Sequence, residues 1–361
     1  MKNSRRKKQN GFAVIIALIA ITVLSILAAA FAYSMKVETK LAANANSEEQ
    51  LLWLGRSGVE YARWILSQQT AIAAEPFDSL NQKWAGGPGS LAESNSVLAG
   101  ISLDNFPVGD GTVSLKIIDL ERKANINTAN TTEIQQALTL MGVDASDISV
   151  VSDSIQDWID ADDAPRVAGA ESDYYQGLTP PYYAKNAPID DLSELLLVRG
   201  IADHPEIFWG GSMTNHQGAT FQHKLGLGTA PGEEPDYPFG LVDLFTAVSS
   251  GRININTADA NVLQMIPGVD EATAESIIKY RSGPDGEDGT EDDTPFQNVG
   301  QLAAAGVNPQ AAGQLAQLCT VRSAVFEVHV TAQIGTYQRE YVAILFRSSG
   351  TDIQVLSFYW K

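Results

Sequence analysis

A single cysteine, Cys319, stands in a chain of 361 residues, so neither an intrachain disulfide nor a thiolate zinc site can form. Its apolar neighbours Leu315, Leu318 and Val321 predict a buried, inert thiol. Histidine is scarce as well. The four copies, His204, His216, His223 and His329, show no ligand spacing, which leaves a transition-metal centre without donors. There is no Gly-x-Ser-x-Gly elbow, no phosphate loop and no His-Glu-x-x-His pattern, and the expectation is a non-enzymatic protein. Positive charge is the remaining shortage: 24 lysines and arginines face 43 aspartates and glutamates, for a net charge of −19. Five of those cations, Lys2, Arg5, Arg6, Lys7 and Lys8, crowd the N-terminus, so the chain without them is near −24. Nucleic-acid affinity rests on cations against phosphates, so no nucleic-acid partner is expected. Solvated surface acids or bound calcium fit such a balance equally well.

What the sequence has in quantity is one uncharged run. Residues 12–35 carry no charge and follow the basic residues directly. A helix of about 20 apolar residues spans the hydrocarbon core, and lysines and arginines before it hold the N-terminus in the cytoplasm. The polar cleavage region of a secretory signal is missing. Two readings remain open from these residues, an uncleaved signal anchor and a leader cut between Gly11 and Phe12 with the whole helix retained.

Beyond the anchor, Leu41, Leu51, Leu52, Val59, Ala62, Ile65 and Leu66 recur near a period of 3.6, so the helix is expected to run on to about residue 69 as the spine of a soluble domain. Gly55 and Gly58 are its expected weak points. Residues 75–111, rich in Gly, Pro, Ser and Asn, read as loop. Strands are predicted at 112–119, 325–334, 337–346 and 353–360. The expected architecture is α+β: a long N-terminal helix on an antiparallel sheet, with a large, mostly helical insertion. The divisions are a leader at 1–11, a membrane helix at 12–35, the helix–sheet domain at 36–122 and 322–361, and the insertion at 123–321. Within it Asn125-Ile-Asn-Thr-Ala recurs as Asn254-Ile-Asn-Thr-Ala, expected to cap helices. The segment 262–281 reads as a helix-hairpin-helix whose turn, Gly268-Val269-Asp270, places an acid where a phosphate would approach.

Gly11-Phe12 and the uncharged helix after it resemble the type IV pilin and type II secretion pseudopilin superfamily, which implies cleavage by prepilin peptidase and methylation of Phe12. The fifth residue of the mature chain is usually glutamate in that superfamily; here it is Ile16. In the superfamily's assembly scheme that glutamate neutralises the terminal ammonium of the subunit ahead, so its lack implies a subunit with none ahead. The segments 157–175, 180–188 and 192–201, with the paired Asn-Ile-Asn-Thr motifs, resemble the inserted domain of the protein K family of minor pseudopilins. Implied are a place at the pseudopilus tip beside subunits I, J and H, contact with an inner-membrane assembly platform, and a single-pass anchor with the bulk in the periplasm. A competence-type DNA receptor and a minor pilin of a surface pilus are the alternatives.

Two acidic clusters are candidate calcium ligands, since calcium takes six to eight hard oxygens. Asp285, Glu287, Asp288, Thr290, Asp292 and Asp293 lie in a glycine-rich loop resembling the calcium loop of the major pseudopilin. Asp160, Asp162, Glu171 and Asp173, with Asp157 and Asp163 beside them, form the second, which the resemblance to the protein K family, whose helical domain binds calcium, raises above a solvated acidic face.

Overall fold

The computed structural model describes residues 10–211, 237–307 and 315–361. Most of the leader, together with His216 and His223, therefore lies outside the described residues. A single helix, α1 (Asn10–Thr70), combines the apolar run and the spine and is roughly 90 Å long at about 1.5 Å per residue. Among the described residues it is the one helix long and apolar enough to cross a membrane. From Phe12 to Leu41 its side chains are exposed, including Ile16, whereas Leu51, Leu54, Val59, Ala62, Ile65 and Leu66 are buried.

That buried stripe packs on a five-stranded antiparallel sheet in the order β1-β2-β7-β8-β9: β1 (Phe106–Val108), β2 (Gly111–Asp119), β7 (Val325–Ile334), β8 (Tyr337–Arg347) and β9 (Ile353–Trp360). Alternate residues of β2 and β7, such as Val113, Leu115 and Ile117 against Val328 and Val330, meet the helix, as a period of two requires. Gly55 and Gly58 are not hinges. A Cβ at Gly55 would stand 2.5 Å from the Tyr341 ring, and one at Gly58 would collide with Val330 while lying 3.1 Å from Val113. The sheet approaches where the helix has no side chain. Gly58→Val is therefore expected to cost about 1–3 kcal/mol by overpacking, read as a lower urea midpoint of the detergent-solubilised chain; an unchanged midpoint would mean that the sheet yields there.

Residues 75–111 depart from the expected loop. A short helix α2 (Leu91–Ser94) carries a capping box from Ser90 and Glu93, Trp84 is fully buried against Phe326, and the Glu75 carboxylate accepts from Gln69 and Gln82 at 2.7 and 2.8 Å. Buried hydrogen bonds, rather than periodic apolar residues, order this segment, which is why no repeat pattern announced it.

Between β2 and β7 the chain leaves the sheet and forms a second hydrophobic core of its own. Its elements are β3 (Ala124–Asn125), α3 (Thr131–Met141), α4 (Ala145–Ile159), α5 (Ser172–Gln176), α6 (Pro205–Trp209), α7 (Leu241–Leu244), β4 (Phe245–Thr246), β5 (Ile253–Asn254), α8 (Ala260–Leu263), α9 (Glu271–Arg281) and β6 (Cys319–Thr320). β3 pairs parallel with β4, and β5 with β6. Cys319 is buried here, and desolvation pushes its thiol up to about 12. The repeated Asn-Ile-Asn-Thr motifs do not cap helices as expected. The caps are Asn130 and Asp259, further along each segment, while the motif asparagines tie distant loops together.

The two cores meet at a buried polar junction. Asp78 and Arg347 form an ion pair shielded from water, and the Ser323 amide donates to Asp78 at 2.8 Å. Asp119, at the end of β2, accepts from Ser323 Oγ and Thr257 Oγ1 at 2.6 Å each and from Asn254 Nδ2 at 3.1 Å. Glu121 is pushed up to about 7 by burial and by neighbouring Asp119.

Candidate functional site

The C-terminal end of α4 and the loop after it gather three of the acids singled out from the sequence. Asp160, Asp162 and Glu171 each bring a carboxylate oxygen to within 4.8 Å of the others. Oxygens on opposite sides of a calcium ion, each at about 2.4 Å, are separated by about that distance. Glu171 is 3% exposed, yet both of its carboxylate oxygens lack a hydrogen-bond partner, as does Asp160 Oδ1. A buried carboxylate without a partner is costly, and the group responds by titrating late: burial first, then repulsion from Asp157, Asp160, Asp163 and Asp162, pushes Glu171 up to about 7.

The surrounding residues hold this arrangement. Arg166 bridges Asp157, at 2.6 Å, and Asp160, fixing the end of α4. Ala164 N donates to Asp162 at 3.0 Å. Asp163 accepts from the Ser172 amide at 3.3 Å and Asn186 Nδ2 at 3.4 Å; the Ser172 side chain first, then these bonds, hold it below the usual carboxylate range. Asn186, in a left-handed conformation at φ 47, keeps a buried Oδ1 without partner. Sequence reasoning missed Asn186, because nothing in its spacing links it to acids that only the folded loop brings near. Asp173 sits exposed in the first turn of α5, outside the trio. The donors are hard oxygens without nitrogen or sulfur, a set that suits calcium rather than zinc.

The glycine-rich loop is arranged differently. Arg281 binds Asp288 through Nε at 3.0 Å and Nη2 at 2.6 Å. Asp285 accepts from Glu287 N, Asp292 from Asp285 N, and Asp293 from Gly289 N and Thr290 N. The Thr290 hydroxyl donates to Asp292 at 2.8 Å. These carboxylates are engaged by amides, a hydroxyl and a guanidinium, and among the described residues they form no trio like the first.

At the hairpin, Gly268 adopts φ +82, and Asp270 accepts from Thr273 N at 2.9 Å as the cap of α9. The aspartate that departs from a Gly-apolar-Gly turn thus serves the helix. At the other end of the molecule, Phe12 and Ile16 stand exposed one turn apart on α1.

Residues 114–205 match the family model described as Type II secretion system (T2SS), protein K, and residues 248–320 match a Helix-hairpin-helix motif model. Along 359 residues the chain is 24% identical to Type II secretion system protein K of Pseudomonas aeruginosa, covering 98% of this chain and 93% of that protein. This chain is a relative of type II secretion system protein K. Its alignment with protein K of Aeromonas hydrophila, 26% identical over 216 residues, covers 54% of this chain and 60% of that one. The fold is shared with the solved GspK-GspI-GspJ complex from enterotoxigenic Escherichia coli, at a TM-score of 0.61 and 19% identity over 89% of this chain and 99% of the matched chain. The protein K family match contains α3, α4 and the whole carboxylate trio, while the second acidic loop falls in the hairpin match.

Proposed function

We propose that the chain is a minor pseudopilin that caps the tip of a type II secretion pseudopilus and supports export of folded proteins across the outer membrane. It is held by one helix in the inner membrane with its bulk in the periplasm. The observation that carries this reading is α1: an uncharged, exposed stretch from Phe12 to Met35 continues without interruption into a half packed on a sheet. Such a helix can leave the bilayer and join a bundle while its head stays folded. Ile16 cannot neutralise the ammonium of a subunit ahead, and the inserted domain is too bulky to repeat along a packed shaft; both favour one copy at the end. The solved complex of GspK with GspI and GspJ supports subunits I and J as neighbours, with H, the assembly platform and prepilin peptidase as further partners. Calcium at Asp160, Asp162 and Glu171 would brace the insertion. The net charge of −19 and the capping role of Asp270 argue against a DNA receptor.

Immunogold labelling of assembled filaments tests the position: label at one end is expected, and label along the shaft would overturn the cap. Processing is tested separately. Mass spectrometry of membranes is expected to find an N-terminal peptide beginning at methylated Phe12. An intact Met1 would refute the pseudopilin reading.

A further inference from the structure

The repeated Asn-Ile-Asn-Thr-Ala is the visible part of a larger correspondence. In the first copy Asn125 Oδ1 accepts from Asn127 N at 2.9 Å; in the second Asn254 Oδ1 accepts from Asn256 N at 3.0 Å. Asn127 then clasps the backbone of Ile189, giving a bond at 2.9 Å and accepting one at 2.7 Å. Asn256 clasps Phe296 in the same two ways, at 3.0 and 2.8 Å. Each clasped residue follows a proline, Pro188 or Pro295. Ile126 N donates to Thr246 O, and Ile255 N to Thr320 O, both at 3.0 Å, continuing the two parallel strand pairs. Gly142-Val143-Asp144 and Gly268-Val269-Asp270 turn into α4 and α9 with glycine φ of +85 and +82. Local propensity explains one such coincidence; a matching set of long-range bonds in the same chain order is what duplication leaves behind.

The two acidic loops occupy the same place in this scheme, each running from the end of the second helix to the clasped residue after proline. They differ in what their oxygens face. In the first loop Arg166 engages Asp157 and one oxygen of Asp160, but Glu171, which it does not reach, is buried with both oxygens unpartnered. In the second, Arg281, 3% exposed, gives two bonds to Asp288 and two more, at 2.8 and 2.7 Å, to the carbonyls of Ile255 and Ala258 in the Asn-Ile-Asn-Thr-Ala turn. A cation ringed by carboxylate and carbonyl oxygens is what a metal ion would provide there.

We infer that the two matching acidic loops close on different cations: a divalent ion in the first, the Arg281 guanidinium in the second. The first half of this statement rests on the calcium reading above, and the second does not. The second loop is metal-independent because its cation is covalently part of the chain.

The test is a calcium count by equilibrium dialysis of the full-length chain in detergent, paired with melting of Arg281→Gln. One ion per chain is expected, bound at least tenfold more weakly in Glu171→Gln and unchanged in Asp292→Asn. Arg281→Gln takes the donor from the buried Ile255 and Ala258 carbonyls and is expected to lower Tm by roughly 5–10 °C, by the same amount in calcium and in chelator. Two ions in the wild-type chain, one lost in Asp292→Asn, would overturn the assignment of the second copy. Melting of Arg281→Gln at the wild-type temperature would overturn the role of the guanidinium. If no ion binds while Arg281→Gln is still destabilised, the calcium reading fails and the built-in cation stands. Should Arg281→Gln not fold, the wild-type count decides the second loop.

Discussion

Calcium added to the full-length protein in detergent is expected to raise its melting temperature by roughly 5–10 °C at a hundredfold excess over Kd, and chelator to reverse the rise. The size follows from mass action, about 2.7 kcal/mol at that excess, spread over the melting entropy of a domain of this size. Glu171→Gln is expected to lose most of the response. It also separates two effects of opposite sign. Without metal, Glu171 titrates at about 7 in the folded chain against an ordinary value near 4.5, so the folded state holds its proton longer. Stability is then lost as pH rises from about 4.5 through 7, and the glutamine variant escapes that loss. In chelator at pH 8 the variant is expected to melt above the wild type, and in calcium below it. Equal melting of the two proteins under both conditions would reduce the cluster to ordinary buried acids.

Arg347→Met is expected to be the most destabilising single change at the junction of the two cores, by about 3–5 kcal/mol, because it leaves the Asp78 carboxylate buried without its cation. Asp78 and Arg347 are both buried, Arg347 also holds the Ser323 carbonyl, and Asn254 Nδ2 donates to Asp78 O at 3.2 Å. The loss therefore reaches the base of the inserted domain, and limited proteolysis near residue 322 is expected to quicken. The double variant Asp78→Leu, Arg347→Met removes both charges and is expected to recover much of the loss, since an apolar pair can replace a buried ion pair at little net cost. Urea midpoints decide it. A single variant as stable as the wild type would mean that water or another group already satisfies Asp78.

Local pattern made much of the fold legible. The uncharged run gave the anchor, the 3.6 period gave the spine, and alternation placed β2, β7, β8 and β9 within a residue or two of their ends. Segments ordered by hydrogen bonds were opaque. Trp84 and Glu75 lie in a stretch whose glycines and prolines read as disorderly, and their burial depends on Phe326 and Gln69 from elsewhere in the chain. Gly55 and Gly58 read as weak points because propensity sees only the helix, whereas their role is set by Tyr341 and Val330 across the interface.

The acids illustrate the same division. By composition the loop from Asp285 to Asp293 was the richer calcium candidate, with glycines to turn it and carboxylates at close spacing. Folding assigns those carboxylates to amides, Thr290 and Arg281, and instead leaves the less regular set at Asp160, Asp162 and Glu171 facing one another. Sequence alone determined that this chain carries one apolar run long enough to cross a membrane, is acidic, has no intrachain disulfide and is built as a sheet interrupted by a helical insertion, because each property depends on residue type and near-neighbour spacing. Which carboxylates share a volume, and which positive group compensates each, was decided by tertiary structure, because charges interact through distance in space and the loops that carry them close only when the cores on either side have packed.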